Sequence, residues 1–163
     1  MLTHEDVAKM SVDEQFGRLA AGPETLGAAM AGQSEAILRR RPDAKNWAPT
    51  EVVCHLRDTE EFFMLRFQTM LAMDEPKFLP GDADRWAEER QYLRNDAGAA
   101  LGAFRKRREE SLTLLRGLEP EEWQRGGIHP ARGRMTIADW VRLVVWHDEN
   151  HLEQLRRGLR GEA

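Results

Sequence analysis

Thr136-Ile137-Ala138-Asp139-Trp140-Val141-Arg142-Leu143-Val144-Val145-Trp146-His147-Asp148-Glu149-Asn150-His151-Leu152-Glu153-Gln154-Leu155 is the stretch whose reading decides the fold. Thr136 is a good N-cap, and Asp139 three positions on makes a carboxylate variant of the capping box, so a helix starts here. Trp140, Val144, His147, His151 and Leu155 then recur at helical spacing along one face. The spacing predicts a helix to about Arg160. His147 and His151 interrupt an apolar stripe rather than decorate a polar face, and their i, i+4 separation sets both imidazoles about one turn apart.

Upstream, Trp47-Ala48-Pro49-Thr50-Glu51 marks a second helix start, with proline at a first helical position and Glu51 at the positive end of the helix dipole. This helix is expected to reach Leu71 or Met73. Val52, His55, Thr59, Phe62 and Arg66 form one line on it, with Leu56, Phe63 and Met70 alongside. Val12 to Met30 reads as a first helical region with Phe16, Leu19, Leu26 and Met30 as apolar contacts. Gly22-Pro23 predicts a kink there or two abutting helices, because proline lacks the amide and crowds the preceding turn.

A short helix is expected around Ser34 to Leu38, before the turn Arg41-Pro42-Asp43. Pro76 to Trp86 reads as a loop, Asp96 to Leu118 as a long helix with Leu101, Phe104, Leu112 and Leu115 inward, and Pro120 to Trp123 as a single turn. Gly126 to Gly133 reads as a glycine-rich loop, and no stretch alternates convincingly as a strand. The expectation is all-α: one domain over residues 1–163, a four-helix bundle with short additional helices, antiparallel unless a long connection allows a crossover.

Composition narrows the function classes. A chain of 163 residues can bury a core without disulfides, and its single cysteine, Cys54, allows no intrachain bridge. The net charge of −4 comes from 24 basic and 28 acidic residues mixed along the chain. The densest basic runs, Arg39-Arg40-Arg41 and Arg105 to Arg108, are short and acid-flanked, so nucleic-acid binding is not expected. No stretch approaches the roughly 20 apolar residues of a membrane span, and no basic start leads into an apolar run. No membrane association and a cytoplasmic location are the expectations.

The histidines carry the chemistry. A lone histidine on an apolar stripe is usually a satisfied core residue. Three of them, His55, His147 and His151, would otherwise bury polar nitrogens in one small core. Zinc, nickel and similar ions accept neutral imidazole, and three protein ligands leave one position open. The condition is that the second and last helices be neighbours with their histidines level.

His4, in a terminus expected to be loose, and His129, in the glycine-rich stretch, lack helical placement. Cys54 is turned about 100° from His55 and reads as a small core residue. Asp58 and Asp148 could orient an imidazole, accept a proton or make a salt bridge. Glu149 is expected to face solvent. Arg66 could bind an anionic substrate group, although an ion pair with Asp82 or Asp84 is the plainer reading. There is no phosphate loop, no Gly-x-Ser-x-Gly, no paired Glu-x-x-His of the di-iron bundles, and His147-Asp148-Glu149-Asn150-His151 departs from His-Glu-x-x-His.

Together, Arg41-Pro42, Trp47 to Leu56, Arg66, His129-Pro130-Ala131-Arg132-Gly133-Arg134-Met135-Thr136 and His147 to Leu152 resemble, in order and spacing, the DinB/YfiT-like superfamily of metal-dependent enzymes, over about Phe16 to Leu159. Ala48 stands where relatives often carry serine before the helix proline, which weakens a cap only. The resemblance implies an up-down-down-up four-helix bundle, commonly a homodimer, with a divalent metal, often nickel or zinc, on His55, His147 and His151. It implies a small-molecule substrate. Some relatives transfer low-molecular-weight thiols such as bacillithiol, mycothiol or glutathione, a mycothiol-dependent maleylpyruvate isomerase is a distant cousin, and others are proposed hydrolases.

The leading expectation is therefore a metal-dependent thiol S-transferase, with a thiol co-substrate and with Asp58 or Asp148 as orienting or proton-accepting groups. A metal-dependent hydrolase, a non-enzymatic metal- or ligand-binding module, and a metal-free helical dimerisation protein are the alternatives.

Overall fold

A computed structural model of the chain describes residues 2–163. Its helices are α1 (His4–Ala8), α2 (Val12–Met30), α3 (Glu35–Leu38), α4 (Pro49–Ala72), α5 (Ala83–Glu89), α6 (Ala97–Arg116) and α7 (Ile137–Arg160). Two strands, β1 (Gly126–His129) and β2 (Gly133–Thr136), pair antiparallel before α7. No helix among the described residues is long and apolar enough to cross a membrane.

The long helices start where local chemistry satisfies their free amides. Ser11 and Glu14 close a reciprocal capping box on α2, and Thr136 and Asp139 do the same on α7. Ala48 offers α4 no side-chain cap. Glu51 instead accepts from the Ala48 amide at 2.9 Å and is itself gripped by Arg41 Nε at 2.7 Å. Gly161 ends α7 at φ 77°, a left-handed conformation that glycine adopts without steric cost.

Gly22-Pro23 does not divide the segment into two abutting helices, because α2 is a single helix through Pro23. Proline removes the amide that would bond the Leu19 carbonyl one turn back. Arg108 of α6 supplies the replacement, its Nη1 donating to that carbonyl at 3.2 Å.

Four helices, α2, α4, α6 and α7, make the bundle, in which α6 and α7 each pack against both α2 and α4. One apolar cluster joins Leu26 and Met30 late in α2, Val52 and Val53 early in α4, Leu101 and Phe104 of α6, and Leu152 and Leu155 late in α7. The other joins Leu19, Phe63, Phe67, Met70, Leu112, Leu115, Trp140, Val141 and Val144. The helices therefore run up, down, down, up: α4 and α6 are parallel, and α7 runs antiparallel to α4. This is the all-α bundle that the sequence predicts, with the two parallel neighbours that an up-down-up-down bundle lacks.

Three local expectations are corrected. The Gly126 to Gly133 stretch is a hairpin rather than a loop, with Ile128 opposite Arg134 and His129 opposite Gly133. Residues Pro76 to Trp86 are not all loop, because Asp82 caps α5 by accepting from the Arg85 amide at 3.0 Å. Their first part is stitched to β1, with Phe78 N–H donating to the Ile128 carbonyl and Ile128 N–H to the Pro76 carbonyl at 3.0 and 2.8 Å. His4 lies in capped helix α1, not a loose end, and its ring stacks on Trp146 at 4.2 Å.

Candidate metal centre

Between the two apolar clusters lies a layer of buried polar side chains: His55, Thr59 and Glu60 on α4, and Arg108 and Ser111 on α6. His147, Asp148 and His151 complete it from α7. Because α4 and α7 are antiparallel neighbours, the early part of one meets the later part of the other, and His55 comes level with both α7 histidines. The nearest ring nitrogens of His55, His147 and His151 all lie within 4.8 Å of one another, and the Nε2 atoms of His55 and His147 are 3.0 Å apart.

The other ring nitrogens explain why the three face inward. His147 Nδ1 is 3.1 Å from Asp148 Oδ1, and His151 Nδ1 is 2.7 Å from Gln154 Oε1. A hydrogen bond to an acceptor requires the proton on Nδ1, which leaves Nε2 of both rings with a free lone pair. Thr59 Oγ1 stands 3.3 Å from His55 Nδ1. Trp47 closes one side, its ring 4.9 Å from His55 and 6.2 Å from His151.

Burial, reinforced by the neighbouring imidazoles, pushes His55 far below the ordinary histidine range. Burial first, then the charge of His147, pulls His151 down to about 3, against a partial opposing effect of Gln154 and Asp148. His55 and His151 are therefore neutral at pH 7. Neutral imidazoles with converging lone pairs and oriented outer nitrogens are the donor set that a divalent transition metal takes.

Asp148 is anchored from behind. Its Oδ2 is 2.7 Å from Arg108 Nη2, and the same nitrogen pairs with Glu60. Burial raises the Asp148 pKa, but the Arg108 charge and the His147 hydrogen bond outweigh it and hold the carboxyl below its usual range.

The other singled-out residues lie apart from the three imidazoles. Asp58 points to the α4–α6 side, where it binds Arg57 at 2.6 Å, Arg90 at 2.7 Å and the Tyr92 hydroxyl at 2.8 Å. It makes no hydrogen bond to His55, since a residue three positions on is carried partly round the helix toward α6. Arg66 makes no ion pair with Asp82 or Asp84. Its Nη2 donates to the Leu79 carbonyl at 2.8 Å, its guanidinium lies over the Phe62 and Trp140 rings, and desolvation lowers its pKa to about 10.

Glu149 pairs with Arg18 of α2 at 2.8 Å instead of facing solvent freely. Cys54 is buried in the core, its thiol pushed up to about 11 by desolvation. His129 accepts at Nδ1 from the Ala131 and Arg132 amides and is not part of the histidine group.

Sequence reasoning placed Thr59 on the line of His55 without reading its contact with the ring, and missed Gln154, Trp47, Glu60 and Arg108 as parts of this environment. Thr59 and Gln154 carried a readable signal, each one turn beyond a histidine on its own helix. Trp47, Glu60 and Arg108 carried none, because only the packing brings them there.

A four-helix bundle with three histidines converging from two antiparallel helices is the class of protein that the fold and site define. This chain belongs to the DinB superfamily, whose family model matches residues 18–155. It is 25% identical to a Bacillus subtilis protein named "Putative metal-dependent hydrolase YfiT", over 93% of this chain and 85% of that one. A Geobacillus thermodenitrificans protein of similar name is 26% identical, over 88% of this chain and 82% of its own. The solved structure of YfiT from Bacillus subtilis, described as "a probable metal-dependent hydrolase with an unusual four-helix bundle topology", superposes with a TM-score of 0.85. That match covers 100% of this chain and 92% of the other at 23% identity, and it establishes the shared fold.

Proposed function

We propose that this protein is a metal-dependent enzyme in which His55, His147 and His151 hold one divalent ion, zinc or nickel, and leave a position for a small-molecule substrate. The observation that carries this reading is the commitment of both α7 Nδ1 atoms, to Asp148 and Gln154, which turns two Nε2 lone pairs toward His55. An ion on such a donor set polarises a bound water or thiol and lowers its pKa. Asp148 keeps the His147 tautomer and stays ionised against Arg108, so it orients rather than accepts a proton. Thr59 and Trp47 both pack against the ring of His55 and restrict it.

Hydrolysis is the reaction we favour, supported by the names that the relatives carry. Thiol S-transfer is the second reading. The only cysteine of the chain is buried with a raised pKa, so a transferred thiol would arrive as a co-substrate, and thiolate suits an open position on a borderline-soft ion. A homodimer, as the resemblance implies, working in the cytoplasm is the proposed form.

The test is metal analysis of untagged protein purified without chelating resin. Stoichiometric metal is expected in the wild type and its loss in His55→Ala and His147→Ala. Unchanged metal content in both variants would overturn the assignment. Turnover without thiol, abolished by chelator, assigns hydrolysis; conjugation of an electrophile that requires an added bacterial thiol assigns transfer. If chelation unfolds the chain and neither reaction occurs, the ion is structural.

A further inference from the structure

Along α4 and α7 from the histidines, toward the hairpin, lies a second polar group that the metal centre does not use. Arg66 is only 5% exposed, and among the described residues no carboxylate pairs with it. Its one hydrogen bond goes to the Leu79 carbonyl, while Nε is buried with no protein acceptor. The guanidinium sits 3.9, 4.4 and 5.1 Å from the ring centres of Phe62, Trp140 and Phe78. Trp140 is itself fully buried, and its indole Nε1 also lacks an acceptor. On the same indole, 5.4 Å away, lies His129. Its Nδ1 accepts two backbone amides, at 3.0 and 3.1 Å, so the neutral ring carries its proton on Nε2 and is a donor too.

Side-chain donors without a matching acceptor thus meet around one indole ring, and one of them is a buried cation without a counter-charge. Buried polar groups are normally paired, and a buried charge more strictly so. A water would satisfy a donor but leave the charge uncompensated, whereas an anion answers both.

We propose that Arg66, Trp140 and His129 form a receptor for a carboxylate group of the substrate. The planar guanidinium edge that contains Nε suits two parallel hydrogen bonds to a carboxylate, and the flat aromatic walls suit a planar group better than a tetrahedral one. Phe63 links this receptor to the metal centre, its ring 6.0 Å from Trp140 and 5.6 Å from His147. Resting on the enzyme reading above, a substrate held here by its carboxylate is separated from the histidines by the single ring of Phe63.

The experiment follows the Trp140 indole N–H by nuclear magnetic resonance in full-length protein, assigned by triple-resonance spectra of the wild type, while benzoate, benzamide or inorganic phosphate is added. Benzoate should shift the signal saturably, binding at least about ten-fold more tightly than its neutral isostere benzamide, in keeping with a charge-assisted pair. Arg66→Gln should lose this preference. His147→Ala should keep it, so a failed metal assignment and a failed receptor are distinguishable. No saturable shift, equal binding of benzoate and benzamide, or tighter binding of phosphate than benzoate would each overturn the carboxylate receptor. The wild-type comparisons need no variant to fold. An Arg66 that only pins the Leu79 carbonyl predicts no ligand discrimination at all.

Discussion

Arg108 reaches from α6 across the bundle to Asp148 on α7, placing Nη2 2.7 Å from Oδ2 while the other carboxylate oxygen holds His147. A histidine of the candidate centre is thereby tied to a third helix that contributes no ligand. Removing the carboxylate should free the His147 ring to change tautomer and orientation. Asp148→Ala is expected to weaken zinc binding roughly 10–100-fold, the usual cost of losing such a partner. Competition with a chromophoric chelator measures it, and unaltered affinity would show that Asp148 does not orient the ligand.

The same arginine sets a stability prediction. Arg108 and Glu60 are nearly inaccessible and Asp148 is largely covered, so Arg108→Met leaves two carboxylates without their cation and the Leu19 carbonyl without its donor. A loss of about 3–5 kcal/mol in chemical denaturation is expected. Arg18→Met, which breaks the partly exposed pair with Glu149, should cost about 1 kcal/mol or less. Similar losses in the two variants would contradict the buried network.

Acid should destabilise the metal-free protein. Folding lowers the His151 pKa from 6.5 to about 3 and moves His55 in the same direction. In that window the unfolded chain binds protons that the folded chain refuses, so stability falls as pH falls. The contribution is complete above about pH 6.5 and is lost on the way down toward pH 3, with a slope of at most about 1.4 kcal/mol per pH unit for each group. Thermal melts in the presence of chelator should be flat from pH 8 to 7 and decline below 6.5, and His151→Gln should decline less steeply. Parallel curves for the two proteins would mean that His151 is not the group responsible.

Gly127→Ala should loosen the segment that roofs Arg66. A Cβ there would collide with Phe78 Cε2 and lie 2.9 Å from the Pro76 carbonyl oxygen, which is rigid backbone. The hydrogen bonds joining Pro76 and Phe78 to Ile128 must then shift. Faster amide exchange at Phe78 and Ile128 is expected, with exchange in the α4 core unchanged. Unchanged protection at both amides would be the contrary result.

Much of the bundle was legible because its signals are local. The Thr136/Asp139 cap, Pro49 at the head of α4 and the helical spacing of His147 and His151 each involve residues within a turn or two. The hairpin and α5 escaped notice for a related reason. Gly126 and Gly127 weaken a strand signal, and Gly127 answers to Phe78, which lies far off in sequence.

By itself, the sequence determined that four long helices form, which face of each is apolar, and that three histidines sit on two of those faces. Only the tertiary structure decided that α7 lies antiparallel beside α4, so that His55 meets His147 and His151. Packing likewise sent Asp58 to Arg57, Arg90 and Tyr92, gave Asp148 to Arg108, and left Arg66 among aromatic rings with no carboxylate. Helix formation is governed by interactions over three or four residues, whereas the partner of a buried charge is whichever side chain the whole bundle brings within hydrogen-bonding reach.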